Sequence, residues 1–161
     1  VFHQPEIMLE SSHRWDRLAE LYLHSSASIL AITGTAKLLS VLGSSIILDQ
    51  EDPLFGIRFR WVLLLVSVLE FALASVCFCH RFSKRQRLVM IAVLASNFLF
   101  YRMMFSLSGW KRTCGCLGDL TEILQIPTKL ADNILKFLLA YLLMGSTILL
   151  IVLQNISRGK N

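Results

Sequence analysis

The chain has 161 residues, 55% of them hydrophobic, with a mean hydropathy of +0.60 and a net charge of +5. A soluble domain of this length cannot hide that much apolar surface, so the composition points to a membrane protein. The basic residues lie mostly between apolar runs, where juxtamembrane charge accounts for them, and this argues against nucleic acid as a partner. The four cysteines form two close pairs, "CFC" and "CGC". A disulfide-rich scaffold would spread its cysteines along the chain.

The first 25 residues mix charges with short apolar pieces, which is not the pattern of a cleavable signal peptide. Within them "SSHRWDRLAELYLH" has helical periodicity, with Trp15, Leu18, Leu21 and Tyr22 expected on one face. Two readings stand open: an amphipathic segment in the membrane interface, or a cytoplasmic extension of the first membrane helix. A membrane-spanning helix needs about 20 mostly apolar residues. Four stretches qualify, at residues 26–48, 61–79, 88–107 and 134–154. The expected fold is therefore an all-α integral membrane protein, a four-helix transmembrane bundle with sequential helices antiparallel. Residues 155–161 form a tail.

The connection "HRFSKRQR" carries Arg81, Lys84, Arg85 and Arg87 without an acid. The positive-inside rule puts it in the cytoplasm, and an even number of spans brings both termini to the same side. "DQEDPLFGIRFR" and the segment 108–133 then face outward. That segment contains "GWKRTCGCLGDL". Cysteines at i and i+2 close only a very small ring, far from the preferred disulfide geometry, so the bond is strained and readily reduced. Gly115 tolerates the backbone that such a ring needs. Lys111 and Arg112 favour the thiolate of Cys114 or Cys116, the form that attacks disulfides. A tight structural staple of the loop is the competing reading. No histidine lies in this segment, so a four-ligand metal site would have to borrow ligands from another chain, and no metal is expected. Asp119 with Glu122 resembles a capping box, predicting a short helix over "LTEILQ". The other pair, Cys77 and Cys79, falls at a helix end where i and i+2 diverge, and is expected to serve packing.

Three charged residues interrupt the spans: Lys37, Glu70 and Arg102. Such residues are costly in lipid and usually face the bundle interior, paired. Lys37 and Glu70 fall at similar depth on adjacent antiparallel helices and are predicted to meet. Arg102 lies nearer the outer mouth, where it would hold a thiolate, a quinone oxygen or a partner's carboxylate. Small residues Ala36, Ser40 and Ser44 would let another helix approach the first span closely.

These features together resemble the MauE/DoxX-like family of small four-helix membrane proteins. The resemblance rests on "GTAKLL", "SVLEFALA", "FLFYRMMFSLSGWKRTCGCLG" and "ADNILKFLLAYLLMGS", and covers about residues 26–151. It implies a location in the bacterial inner membrane and a role linked to disulfide chemistry. Cys114 and Cys116 would be the redox pair, and Lys37, Glu70 and Arg102 polar residues of the bundle. It also implies a periplasmic thioredoxin-like partner. A quinone as electron partner follows only by analogy with other four-helix membrane thiol oxidases. The alternative is a non-catalytic accessory subunit packed in a larger membrane complex.

Overall fold

The computed structural model of the chain describes residues 4–43, 46–79, 81–107 and 127–158. Four helices make up most of it: α1 (Gln4–Val41), α2 (Phe59–Phe78), α3 (Lys84–Leu107) and α4 (Thr128–Arg158), with a 3₁₀ turn at Ile46–Asp49. No β-strand occurs among the described residues, apart from one isolated bridge between Glu51 and Arg58. Two helical hairpins dominate: α1 packs along α2, and α3 packs along α4. α1 also meets α3 and α4, whereas α2 and α3 meet over only a few residues.

The helix ends have identifiable causes. At α3, Ser83 and Gln86 form a capping box, with Ser83 N–H donating to Gln86 Oε1 at 3.1 Å and Gln86 N–H to Ser83 Oγ at 3.3 Å. At the end of α1, Arg60 donates to the carbonyls of Val41 and Gly43 at 3.2 and 3.4 Å, a cation satisfying the last acceptors of a helix. That cap stops α1 at Val41, short of the expected span end at 48. At its other end α1 runs through residue 26 without a break, as the helix-extension reading of the N-terminal segment requires.

Among the described residues, three helical stretches are long and apolar enough to cross a membrane: Phe59–Phe78, Lys84–Leu107 and Leu130–Ile156. α1 is not among them, because Lys37 and a run of serines and threonines dilute its apolar character. Large hydrophobics point outward from the apolar helices, among them Leu65 at 62% and Phe137 at 82% exposure. Outward apolar faces of this extent fit contact with membrane lipid.

Of the four residues expected on one face of α1, Trp15 and Tyr22 turn toward the bundle. Leu18 and Leu21 are exposed; Ala19, Tyr22, Leu23, Ala27 and Leu30 are buried, with Trp15 packed against them. The small residues explain the choice, since Ala19, Ser26 and Ala27 let neighbouring helices come close where Leu18 and Leu21 would hold them off. This stripe joins Leu73, Ala74 and Cys77 of α2, Leu88, Ile91 and Ala95 of α3, and Leu142 and Leu149 of α4 in one core. Cys77 is thus a core residue while Cys79 is exposed, and both are free thiols. A smaller cluster of Val41, Leu48, Phe59 and Leu63 sits at the opposite end. Ser40 is buried inside the bundle, so the small-residue stripe of α1 is at least partly used within the chain.

The end that carries the α2–α3 connection, hereafter the basic end, is tied by charge. Arg87 donates to the Cys77 carbonyl at 3.0 Å and to Glu20 at 3.3 Å, and Lys84 reaches Asp16 at 3.1 Å. Across the bundle, the Tyr22 hydroxyl donates to the Leu142 carbonyl at 2.7 Å, and its ring lies against Gly145. A methyl group at Gly145 would stand 3.0 Å from Tyr22 Cζ and 3.1 Å from Cδ2, tighter than packed carbons allow. Gly145→Ala is therefore expected to destabilise the bundle by about 1–3 kcal/mol through overpacking. Denaturation in mixed micelles followed by circular dichroism measures it; unchanged stability would show that the Tyr22 ring swings aside freely.

Candidate functional site

Among the described residues, the most buried ionic contact joins the first hairpin. Lys37 Nζ donates to Glu70 Oε1 at 2.7 Å and Oε2 at 2.9 Å, with the two residues 6% and 2% exposed. Glu70 stands midway along α2, so the pair lies deep in the bundle. The approach depends on Gly34, whose missing side chain faces the Phe71 ring at 3.3 Å and Glu70 Cβ at 3.4 Å. Both Glu70 oxygens are engaged by one ammonium, which is the satisfied arrangement that a buried carboxylate needs. The ammonium also lies 5.9 Å from the centre of the Phe98 ring on α3. The predicted meeting of Lys37 and Glu70 is what the structure shows.

Toward the other end, hereafter the open end, a second tie joins the α1–α2 connection to α3. Asp52, 1% exposed, accepts from Leu54 N–H at 2.8 Å and Phe55 N–H at 3.1 Å through Oδ1. Its Oδ2 accepts from the Tyr101 hydroxyl at 2.5 Å. The turn closes at Gly56, whose φ of 64° suits glycine. It carries Phe55, which stacks on Tyr101 with ring centres 5.9 Å apart. The third tie joins α3 to α4: Arg102 is ion-paired with Asp132, which also accepts Lys136 Nζ at 2.7 Å. Arg102 thus has a carboxylate partner inside its own chain rather than a free guanidinium waiting for an outside one.

Between these ties lies a cavity of about 570 Å³. All four helices and the α1–α2 turn contribute to it; Lys37 and Glu70 stand on its wall, and Phe55, Tyr101 and Arg102 also line it. Among the described residues no cluster of three or more histidine, cysteine or carboxylate side chains suits a metal ion. The expectations for Cys114, Gly115, Cys116, Lys111 and Arg112, and for the helix over "LTEILQ", concern residues outside those described.

Asp52, Asp132 and the cavity were not anticipated from the sequence as parts of a site. For Asp52 a signal existed in "EDPLFG", where an acid before Pro and a following Gly mark a side-chain-capped turn. For Asp132 the signal was its i,i+4 spacing to Lys136 at the start of an apolar helix. Nothing in the spacing announced that Tyr101 would reach the first turn. No family model, curated protein or solved structure matches this chain.

The pair geometry yields a test. Lys37→Met or Glu70→Gln leaves a buried group without its partner, and breaking a buried pair costs about 3–5 kcal/mol. Each single variant should yield less folded protein in detergent, measured by size-exclusion recovery. The Lys37→Met/Glu70→Gln double variant should recover most of that loss; a double variant as poor as the singles would mean that the pair is not the stabilising contact.

Proposed function

We propose that this chain is a membrane thiol–disulfide redox protein that exchanges electrons through Cys114 and Cys116 with a periplasmic thioredoxin-like protein. In this reading α1 is the fourth span and both termini are cytoplasmic. The chain resides in a bacterial inner membrane, in keeping with its resemblance to the MauE/DoxX-like family. The observation that carries the topology is the alternation of the helices. Leu107 at the end of α3 and Pro127 before α4 flank the cysteine segment, and they belong to the end opposite Arg81, Lys84 and Arg85. The positive-inside rule then assigns the cysteine segment to the oxidising side. The chemistry itself rests on the sequence: two thiols one glycine apart, beside Lys111 and Arg112.

Two measurements bear on this. Cys79 is exposed at the basic end, which makes it an internal reference for sidedness. With intact cells, after reduction, an impermeant maleimide should label Cys114 or Cys116, and Cys79 only after lysis; the reverse pattern contradicts the orientation. For the chemistry, attack on an incoming disulfide forms a mixed disulfide that the second cysteine resolves. Cys114→Ser and Cys116→Ser, expressed separately and acid-quenched, should therefore give at least one reducible adduct with a thioredoxin-like or other periplasmic protein. If neither variant traps a partner and both sustain disulfide formation, the pair is a loop staple and the accessory-subunit reading takes its place.

A further inference from the structure

The cavity beside the Lys37–Glu70 pair has the character of a ligand site. Its volume of about 570 Å³ falls within the ~300–1,000 Å³ typical of small-molecule pockets. Leu65 and Leu69 of α2 and Asn97 and Phe100 of α3 line it and are also exposed. It therefore opens sideways, between the two helices that scarcely touch, onto a surface that faces lipid in the proposed arrangement. A molecule arriving there comes from the lipid phase.

Its walls state what that molecule must look like. They are overwhelmingly apolar, and aromatic rings recur in them, including Phe59, Phe98 and Tyr101. Flat apolar faces of this kind suit a ring. The polar groups are few. An ammonium has three N–H donors; Lys37 gives two to Glu70, and the third has no protein acceptor among the described residues. Asn97, at the mouth, bonds the Val93 carbonyl at 2.9 Å through its amide nitrogen and keeps its carbonyl oxygen for another donor. A Lys–Glu pair carries no net charge, so the centre of the cavity does not call for a charged headgroup. It offers one strong donor to a neutral acceptor oxygen.

From this geometry we infer that the cavity binds a neutral, ring-bearing, lipid-phase molecule whose carbonyl oxygen accepts from Lys37, in chemical class a quinone. The choice of a redox-active ring rests on the thiol–disulfide reading above; the binding site does not. The two fit chemically. Closing Cys114 and Cys116 from dithiol to disulfide forms one S–S bond, breaks two S–H bonds and releases two electrons and two protons. Reduction of one quinone to its quinol takes up the same two electrons and two protons, one on each carbonyl oxygen.

The test uses the full chain in lipid nanodiscs and a photoreactive azidoquinone, with labelled peptides mapped by mass spectrometry and competed by unlabelled short-chain ubiquinone. Saturable, competed labelling on α2 and α3 is expected. Leu138→Trp, which fills the cavity from α4, should weaken competition about ten-fold or more. Asn97→Phe, which obstructs the exposed mouth and leaves the core untouched, should do the same and guards against a folding failure of the first variant. Phe137→Trp, on the outward face of α4, should leave binding unchanged. Labelling that is not competed, or that both variants leave unaltered, overturns the inference. So does a tightly retained phospholipid in native mass spectra that quinone fails to displace. The same labelling in the Cys114→Ser/Cys116→Ser variant separates the two readings. Labelling that persists there while no partner is ever trapped sinks the thiol chemistry alone. Trapped partners without labelling sink the cavity inference alone.

Discussion

The buried contact between Lys37 and Glu70 is the constraint around which the rest of this bundle is arranged. Either charge alone in an apolar interior would be strongly unfavourable, so the two must meet, and meeting fixes the axial register of α1 on α2. It also fixes how closely the helices approach. The bidentate contact at 2.7 and 2.9 Å requires the backbone of α1 to come near Glu70, and Gly34 supplies the room. The same pair explains why α1 is less apolar than its neighbours. A helix carrying Lys37 and many hydroxyls is best placed where other helices surround it, and α1 meets all three others.

Packing along the bundle is uneven. Toward the basic end, small residues and the Tyr22 ring of α1 and the aliphatic side chains of α2, α3 and α4 build a continuous core, closed off by Arg87 and Lys84 with Glu20 and Asp16. Toward the open end the apolar cluster is small, and a cavity takes the place of interdigitated side chains. Close packing is the ordinary state of protein interiors. A local departure from it, next to a charged pair and open to the side, is where ligand chemistry becomes legible.

What could be read from the sequence, and what could not, follows from the range of the interactions. The apolar helices were legible because each is a long local run, and their ends moved by only a few residues. Lys37 and Glu70 were legible as a pair because charge within a span must be neutralised, and depth along two adjacent antiparallel helices narrows the candidates. Which face of α1 packs into the bundle was not legible, because periodicity marks large hydrophobics such as Leu18 and Leu21. Close helix contact instead selects Ala19, Ser26 and Ala27. The end of α1 depended on Arg60, seventeen residues from Gly43, a contact with no local mark in the chain. Arg102 was expected to await an outside group because its partner Asp132 lies beyond the long cysteine segment.

The polar contacts of the open half form a sequence around the cavity. Lys37–Glu70 joins α1 to α2, Asp52–Tyr101 joins the α1–α2 turn to α3, and Arg102–Asp132 joins α3 to α4. Apolar side chains slide and collapse into a void when nothing holds them apart, since dispersion contacts have no preferred direction. Hydrogen bonds to charged groups have short, directional geometries, and in a low-dielectric interior each resists being broken. Three such contacts set the spacing of the helices at the open end independently of what fills the space between them. The cavity is therefore held by polar struts rather than left over from imperfect packing. None of these three struts runs directly between α2 and α3, and the gap between those helices at this end is the side from which it can be reached.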